Sequence, residues 1–137
     1  MKRTLLISAL SFSITGCGLM YDNRQPPRLN ASITTINNNV CVLVQPESDE
    51  IVASVYIEEA GSDKNRFSKN NLNAPIKSDQ CVSDFGYKFE PGIIYHFTTT
   101  LESPSKKKQG AEPYARFYVV SFILQNNNGK LEATTPY

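Results

Sequence analysis

From Leu29 onward the chain reads as short apolar alternations separated by polar turns. In "LNASITTI", Leu29, Ala31 and Ile33 alternate with polar neighbours, the two-residue period of a strand that buries one face. Asn37 to Asn39 follow as a turn, because asparagine tolerates positive φ. "VCVLVQP", starting at Val40, is apolar on both faces, as in a strand packed inside a sandwich. In "EIVASVYIEE", Ile51, Ala53, Val55 and Ile57 line one face, and Val52, Ser54, Tyr56 and Glu58 line the other. Residues 60–77 are polar except for Phe67, Leu72 and Ile76, and read as a long loop with one short strand.

The β pattern resumes in "DQCVSDFGYKFEPGIIYHFTTTL", residues 79–101. Ile93, Tyr95, Phe97, Thr99 and Leu101 share a face there; Ile94, His96, Thr98 and Thr100 share the other. "ESPSKKKQGAEP", residues 102–113, is a second polar connection. "YARFYVVSFILQ", residues 114–125, is the longest β-prone run, mostly aromatic and β-branched. It ends at "NNNG", a turn in which Gly129 is available for positive φ, and "KLEATTPY" pairs back as an edge strand. No helical period is visible in this part of the chain. About seven short strands spaced by turn residues predict an all-β fold, a β-sandwich.

The first residues, "MKRTLLISALSFSITGC", follow a different plan. Lys2 and Arg3 precede an apolar run from Leu5 to Ile14, which is too short to span a bilayer and has the layout of a secretory signal. Ile14-Thr15-Gly16 and then Cys17 resemble the bacterial lipobox. That resemblance implies cleavage after residue 16 and acylation of Cys17, a membrane anchor through lipid. Gly18 in place of Asp resembles the enterobacterial sorting pattern for the outer membrane, and that resemblance implies the outer membrane over the inner one. "GLMYDNRQPPR" has no period and carries Pro26-Pro27, so residues 17–28 read as a lipidated tether and residues 29–137 as the sandwich domain.

Removing 16 of the 137 residues leaves 121, enough for one core. Removing Lys2 and Arg3 from the 14 basic residues leaves 12 against 13 acidic, so no charge excess points to nucleic acid. If Cys17 carries lipid, two cysteines remain, Cys41 and Cys81. An even pair in an exported chain reads as a disulfide. The alternatives are two free thiols or half of a metal site; His96 is the only histidine and no CxxC pair exists.

Catalytic signatures are poor. No GxSxG, phosphate-cradling glycine loop or HExxH occurs. His96 lies among threonines and reads as a surface strand residue. Glu58 and Glu59 are adjacent, so along a strand they point to opposite faces, and Asp79 and Asp84 flank Cys81. Lys106, Lys107 and Lys108 read as a solvated loop tip, the alternative being contact with anionic lipid or an acidic partner. The aromatic segments Phe85–Phe97 and Tyr114–Phe122 read as core, with interface anchors as the second possibility. No catalytic residue, cofactor, metal or small-molecule substrate is expected.

Two resemblances extend this reading. "FEPGIIYHF" resembles the tyrosine corner of immunoglobulin-like and fibronectin type III domains, which would make Pro91-Gly92 the turn and Tyr95 the corner residue. The absence of Trp excludes the antibody-type Cys-Trp-Cys core. The whole layout is similar to a group of small enterobacterial periplasmic lipoproteins catalogued as type VI secretion immunity proteins. It is carried by Cys17, Cys41, Cys81, Gly86, Tyr87, Phe89, Pro91, Gly92 and Tyr95, all scaffold positions. The resemblance implies an outer-membrane lipoprotein, facing the periplasm, whose partner is an effector toxin. The rival expectation is an accessory lipoprotein that docks a cell-envelope assembly through a sheet edge.

Overall fold

A computed structural model describes residues 25–136. Cys17, the signal 1–16 and the tether as far as residue 24 lie outside the described residues. Among the described residues nine strands form, in the order β1 (Arg28–Asn30), β2 (Ser32–Ile36), β3 (Asn39–Leu43), β4 (Ile51–Glu59), β5 (Phe67–Lys69), β6 (Ala74–Pro75), β7 (Ile94–Glu102), β8 (Ala115–Asn127) and β9 (Lys130–Thr134). One short helix, α1 (Pro104–Gln109), joins β7 to β8. The described residues are nearly all β and form two sheets, consistent with a β-sandwich. The larger sheet runs β1-β8-β7-β4-β5, with β6 on β4 and β9 on β8; the smaller is the hairpin β2-β3.

Strands β4, β7 and β8 pair antiparallel along their lengths and carry the core. Val55 and Ile57, Tyr95, Phe97 and Leu101, and Tyr118, Phe122 and Leu124 point inward onto Val42 and Val44. Burying each of the larger side chains contributes about 1.5–3 kcal/mol. A register shift between Val52 and Ser54 turns Val52 into the core, while Ile51 and Ala53, expected on the core face, line a groove with Ser54 instead. Val52 therefore leaves the outer face that simple alternation assigns to it.

"LNASITTI" is not one strand. It divides at buried Ala31, whose amide donates to the Val119 carbonyl at 2.9 Å. Before that point β1 pairs parallel with β8; after it β2 pairs with β3. The β2–β3 turn has Asn37 at φ 52° and Asn38 at φ 59°, the left-handed geometry that suits a two-residue hairpin. Asn38 also donates from Nδ2 to the Gly129 carbonyl and accepts at Oδ1 from the Leu131 amide. The tips of the β2–β3 and β8–β9 hairpins are thereby tied to each other.

Three expectations need correction. Residues 102–113 contain α1, whose capping is local. Ser103 accepts from the Lys106 amide, Pro104 opens the helix, and Gly110 at φ 68° ends it by donating to carbonyls of the last turn. Residues 79–93 form no strand; they are an irregular strap that becomes β7 only at Ile94. Residues 60–77 contain two short strands, β5 and β6. The strap is held by the disulfide Cys41–Cys81, with S–S 2.03 Å and Cα–Cα 5.0 Å, and by the Val82 amide donating to the Val42 carbonyl.

Candidate interaction surface

Strand directions sort the loops into two poles. β1 runs parallel to β8, and α1 links the end of β7 to the start of β8. The proximal pole therefore holds residues 25–27, the 44–50 connection, α1 and residues 110–114. Pro26 lines one small pocket with Pro113 and Tyr114, and the Pro27 carbonyl accepts from the Phe117 amide at 2.9 Å. The distal pole holds the hairpin tips at Asn37-Asn38 and Asn128-Gly129, the 60–66 turn and Pro91-Gly92. Asn37, Asn38, Asn39, Asn65, Asn126, Asn127 and Asn128 make this end exposed and rich in hydrogen-bonding groups, beside the charged Asp63, Lys64 and Arg66 of the 60–66 turn.

The proximal pole is clamped by charge. Arg116 donates from Nε and Nη2 to the Glu50 carboxylate, and from Nη2 to the Gln45 carbonyl at 2.8 Å. It also lies over the Tyr118 ring. These bonds, first those to Glu50, raise the guanidinium pKa above its ordinary value. Asp49 accepts from the Ser103 hydroxyl and, at 2.9 Å, from the Ser105 amide. The Ser103 bond is the largest cause holding the Asp49 carboxyl at about 2.

Between the poles lies the outward face of the large sheet. It is built of cross-strand rows: Ser54, Thr100 and Phe117; Tyr56, Thr98 and Val119; Glu58, His96 and Ser121; then Ile94 and Ile123. Each of these residues is half-buried. Aromatic, aliphatic and hydroxyl groups share it without a lysine, a composition suited to contact with another protein. Near the proximal pole a shallow groove of about 460 Å³ opens on the same side, lined by Ser54, Asn70, Asn71, Asn73, Glu102 and Lys107.

The row Glu58, His96, Ser121 has the residue types of an acyl-transfer triad, and His96 Nδ1 lies 2.6 Å from Ser121 Oγ. A working triad also needs the carboxylate on the other ring nitrogen and N–H donors converging on an oxyanion. Glu58 instead accepts from the Tyr56 hydroxyl at 2.7 Å and lies 3.7 Å from Arg66 Nε. That bond, more than burial, raises the Tyr56 phenol pKa. The backbone along this row is committed to sheet pairing.

The remaining residues singled out from the sequence fall as follows. Cys41 and Cys81 are bonded to each other. The Tyr95 hydroxyl accepts from the Glu90 amide at 2.7 Å, just upstream of the Pro91-Gly92 turn. Burial raises the Tyr95 phenol pKa. Glu59 accepts from Asn65, apart from Glu58, and Asp84 caps the Gly86 amide within its own turn. Among the described residues no group of three or more His, Cys, Asp or Glu is placed to hold a metal ion. Lys106, Lys107 and Lys108 stand on α1, not on a loop tip. Phe85, 43% exposed, caps an aromatic stack that runs through Phe67, Tyr87 and Phe89 to buried Tyr95 and Phe122.

Residues 28–127 match the model of a family described as a domain of unknown function (DUF7480). The chain belongs to that family. The match opens on the first residue of β1 and closes on the last of β8, so it contains the strap, the disulfide and the outward sheet face. No curated protein and no solved structure matches the chain.

Proposed function

We propose that this protein is a lipid-anchored outer-membrane protein, facing the periplasm, that binds and neutralises an incoming type VI secretion effector. The observation that carries the reading is the division of the surface. The chain joins the domain at the proximal pole, while the distal hairpin tips and the outward sheet face remain open to a partner. An inhibitor of this kind needs position, rigidity and a specific surface. The lipobox-like Cys17 supplies position, and the Cys41–Cys81 bond and paired hairpin tips supply rigidity. Rows such as Tyr56-Thr98-Val119 supply a face of aromatic and β-branched side chains that loses little entropy on binding.

The accessory reading requires a sheet edge long enough to template a partner strand. The outer strand β5 is three residues long and β6 two, so the edge beside β4 offers little. Deleting the gene should leave cells sensitive to attack by a sibling that delivers the cognate effector. Restoring the chain should restore survival, and restoring it with Tyr56→Lys and Val119→Glu on the sheet face should not. Full survival of the deletion strain under attack, with the effector active, would defeat the reading.

A further inference from the structure

We propose that α1 makes a second, non-covalent contact with the membrane. In it, Lys106 and Lys108 meet the phosphates of anionic phospholipids and Tyr114 lies at headgroup level. This rests on the lipid-anchored reading of Cys17 given above. Its first support is reach. Gln25 lies eight chain steps after Cys17, a span of at most about 26–29 Å when fully extended. β8 alone, from Ala115 to Asn127, runs about 40 Å from the proximal to the distal pole. A chain that leaves the fold beside Pro113 and Tyr114 thus holds the proximal pole, and not the distal hairpins, against the bilayer.

Local charge on α1 is the second support. Among the described residues the pole carries five acids: Arg116 pairs with Glu50 and Glu47, Lys107 pairs with Glu102 at 3.3 Å, Asp49 accepts from Ser103 and Ser105 and stays ionised, and Glu112 lies beyond α1. Lys107 is also placed over the Tyr114 ring. The neighbouring Lys106 and Lys108 are exposed, on a helix with no buried residue, its ends fixed by Ser103 and Gly110. Each lysine brought to an anionic surface multiplies the docked population about fivefold, and two about thirtyfold. That is too weak to recruit a free protein, yet enough to orient one already tethered.

The test couples the chain from Cys17 onward, which contains every described residue, through the Cys17 thiol to a maleimide lipid in vesicles. Because the coupling is chemical, the outcome does not depend on whether cells acylate Cys17; intact mass of the native product tests that separately. Acetylation rates of individual lysines are then read by mass spectrometry. On phosphatidylcholine containing phosphatidylglycerol, Lys106 and Lys108 should react about tenfold more slowly than on phosphatidylcholine alone, and high salt should restore their rates. Lys64 and Lys130, toward the distal pole, should not change. Inorganic phosphate without vesicles should leave all four rates unaltered, assigning the effect to the lipid surface. In the double variant K106Q/K108Q, the vesicle-dependent protection of amide hydrogens over residues 104–110 should disappear. Equal rates at Lys106 and Lys108 on both vesicle types would overturn the proposal, as would protection by a periplasmic protein fraction but not by anionic vesicles.

Discussion

Glu50 and Arg116 meet through two parallel hydrogen bonds, Nε to Oε2 at 2.8 Å and Nη2 to Oε1 at 2.5 Å. The side chains are 7% and 15% exposed, respectively. This bidentate pair fastens the 44–50 connection to the start of β8, two segments distant in sequence. Breaking it from one side should be costly, because the other charge stays in a poorly solvated place. Arg116→Met is expected to cost about 3–5 kcal/mol. Adding Glu50→Leu should recover much of that loss. A double-mutant cycle from urea unfolding should therefore give a coupling of at least about 2 kcal/mol; additive losses would mean that the two groups do not depend on each other.

Asp49 makes stability depend on acid. Its carboxyl titrates at about 2 in the folded protein, below the unfolded value of about 3.9, chiefly because Ser103 donates to it. A depressed pKa stabilises the fold above the unfolded value, and that contribution is lost as pH falls through the folded one. The urea midpoint should fall between pH 4 and pH 2. In Asp49→Asn this window should flatten, while the slope contributed by other carboxylates remains.

Alternation in β4, β7 and β8 was legible because these strands bury one face and the side-chain period is two. The inward set Tyr95, Phe97, Thr99, Leu101 follows directly from "YHFTTTL". The bulge at Val52 was not, because a one-residue shift leaves composition unchanged. The helix was written in "SPSKKKQG" as an N-cap serine, a first-turn proline and a terminal glycine, but it buries nothing and so shows no apolar period. The strap 79–93 has the aromatic content of a strand, yet Asp84, Gly86 and Pro91-Gly92 bend it repeatedly, and its rings pack as a stack instead. Rows across the outward face depend on register between strands, which one chain read alone does not contain.

Tyr95 allows packing and hydrogen bonding to be separated. Its ring meets Phe89 edge-on at 4.9 Å and Tyr87 at 5.9 Å, while its hydroxyl accepts from the Glu90 amide. Tyr95→Phe keeps the ring and strands that amide, and should cost about 1 kcal/mol. Tyr95→Ala removes the ring too and should cost about 3–5 kcal/mol. Thermal unfolding of both variants checks the ratio; similar losses would mean that the hydroxyl carries the site.

The disulfide closes a separation of 40 residues. Cys41→Ser with Cys81→Ser should cost about 3–4 kcal/mol, from the added freedom of the unfolded chain. The local effect should centre on residues 81–92, which contain no regular pairing and meet β3 through the single bond from Val82. Amide exchange there should accelerate more than in β7 or β8. Uniform acceleration would place the whole effect in global stability.

Thr99 is fully buried on the inward face of β7, and its hydroxyl has no hydrogen-bond partner among the described residues. It sits between Phe97 and Leu101 on that face and is paired across the sheet with Val55 and Tyr118. A buried hydroxyl left unpaired forfeits its hydration without return, about 1–3 kcal/mol. Valine has nearly the same shape and nothing to satisfy, so Thr99→Val should raise stability by about 1 kcal/mol, seen as a higher urea midpoint at unchanged slope. Thr99→Ser keeps the hydroxyl and loses the methyl, and should destabilise by a similar amount. If valine instead lowers the midpoint, the hydroxyl is bonded in solution and the residue helps to hold β7 in place.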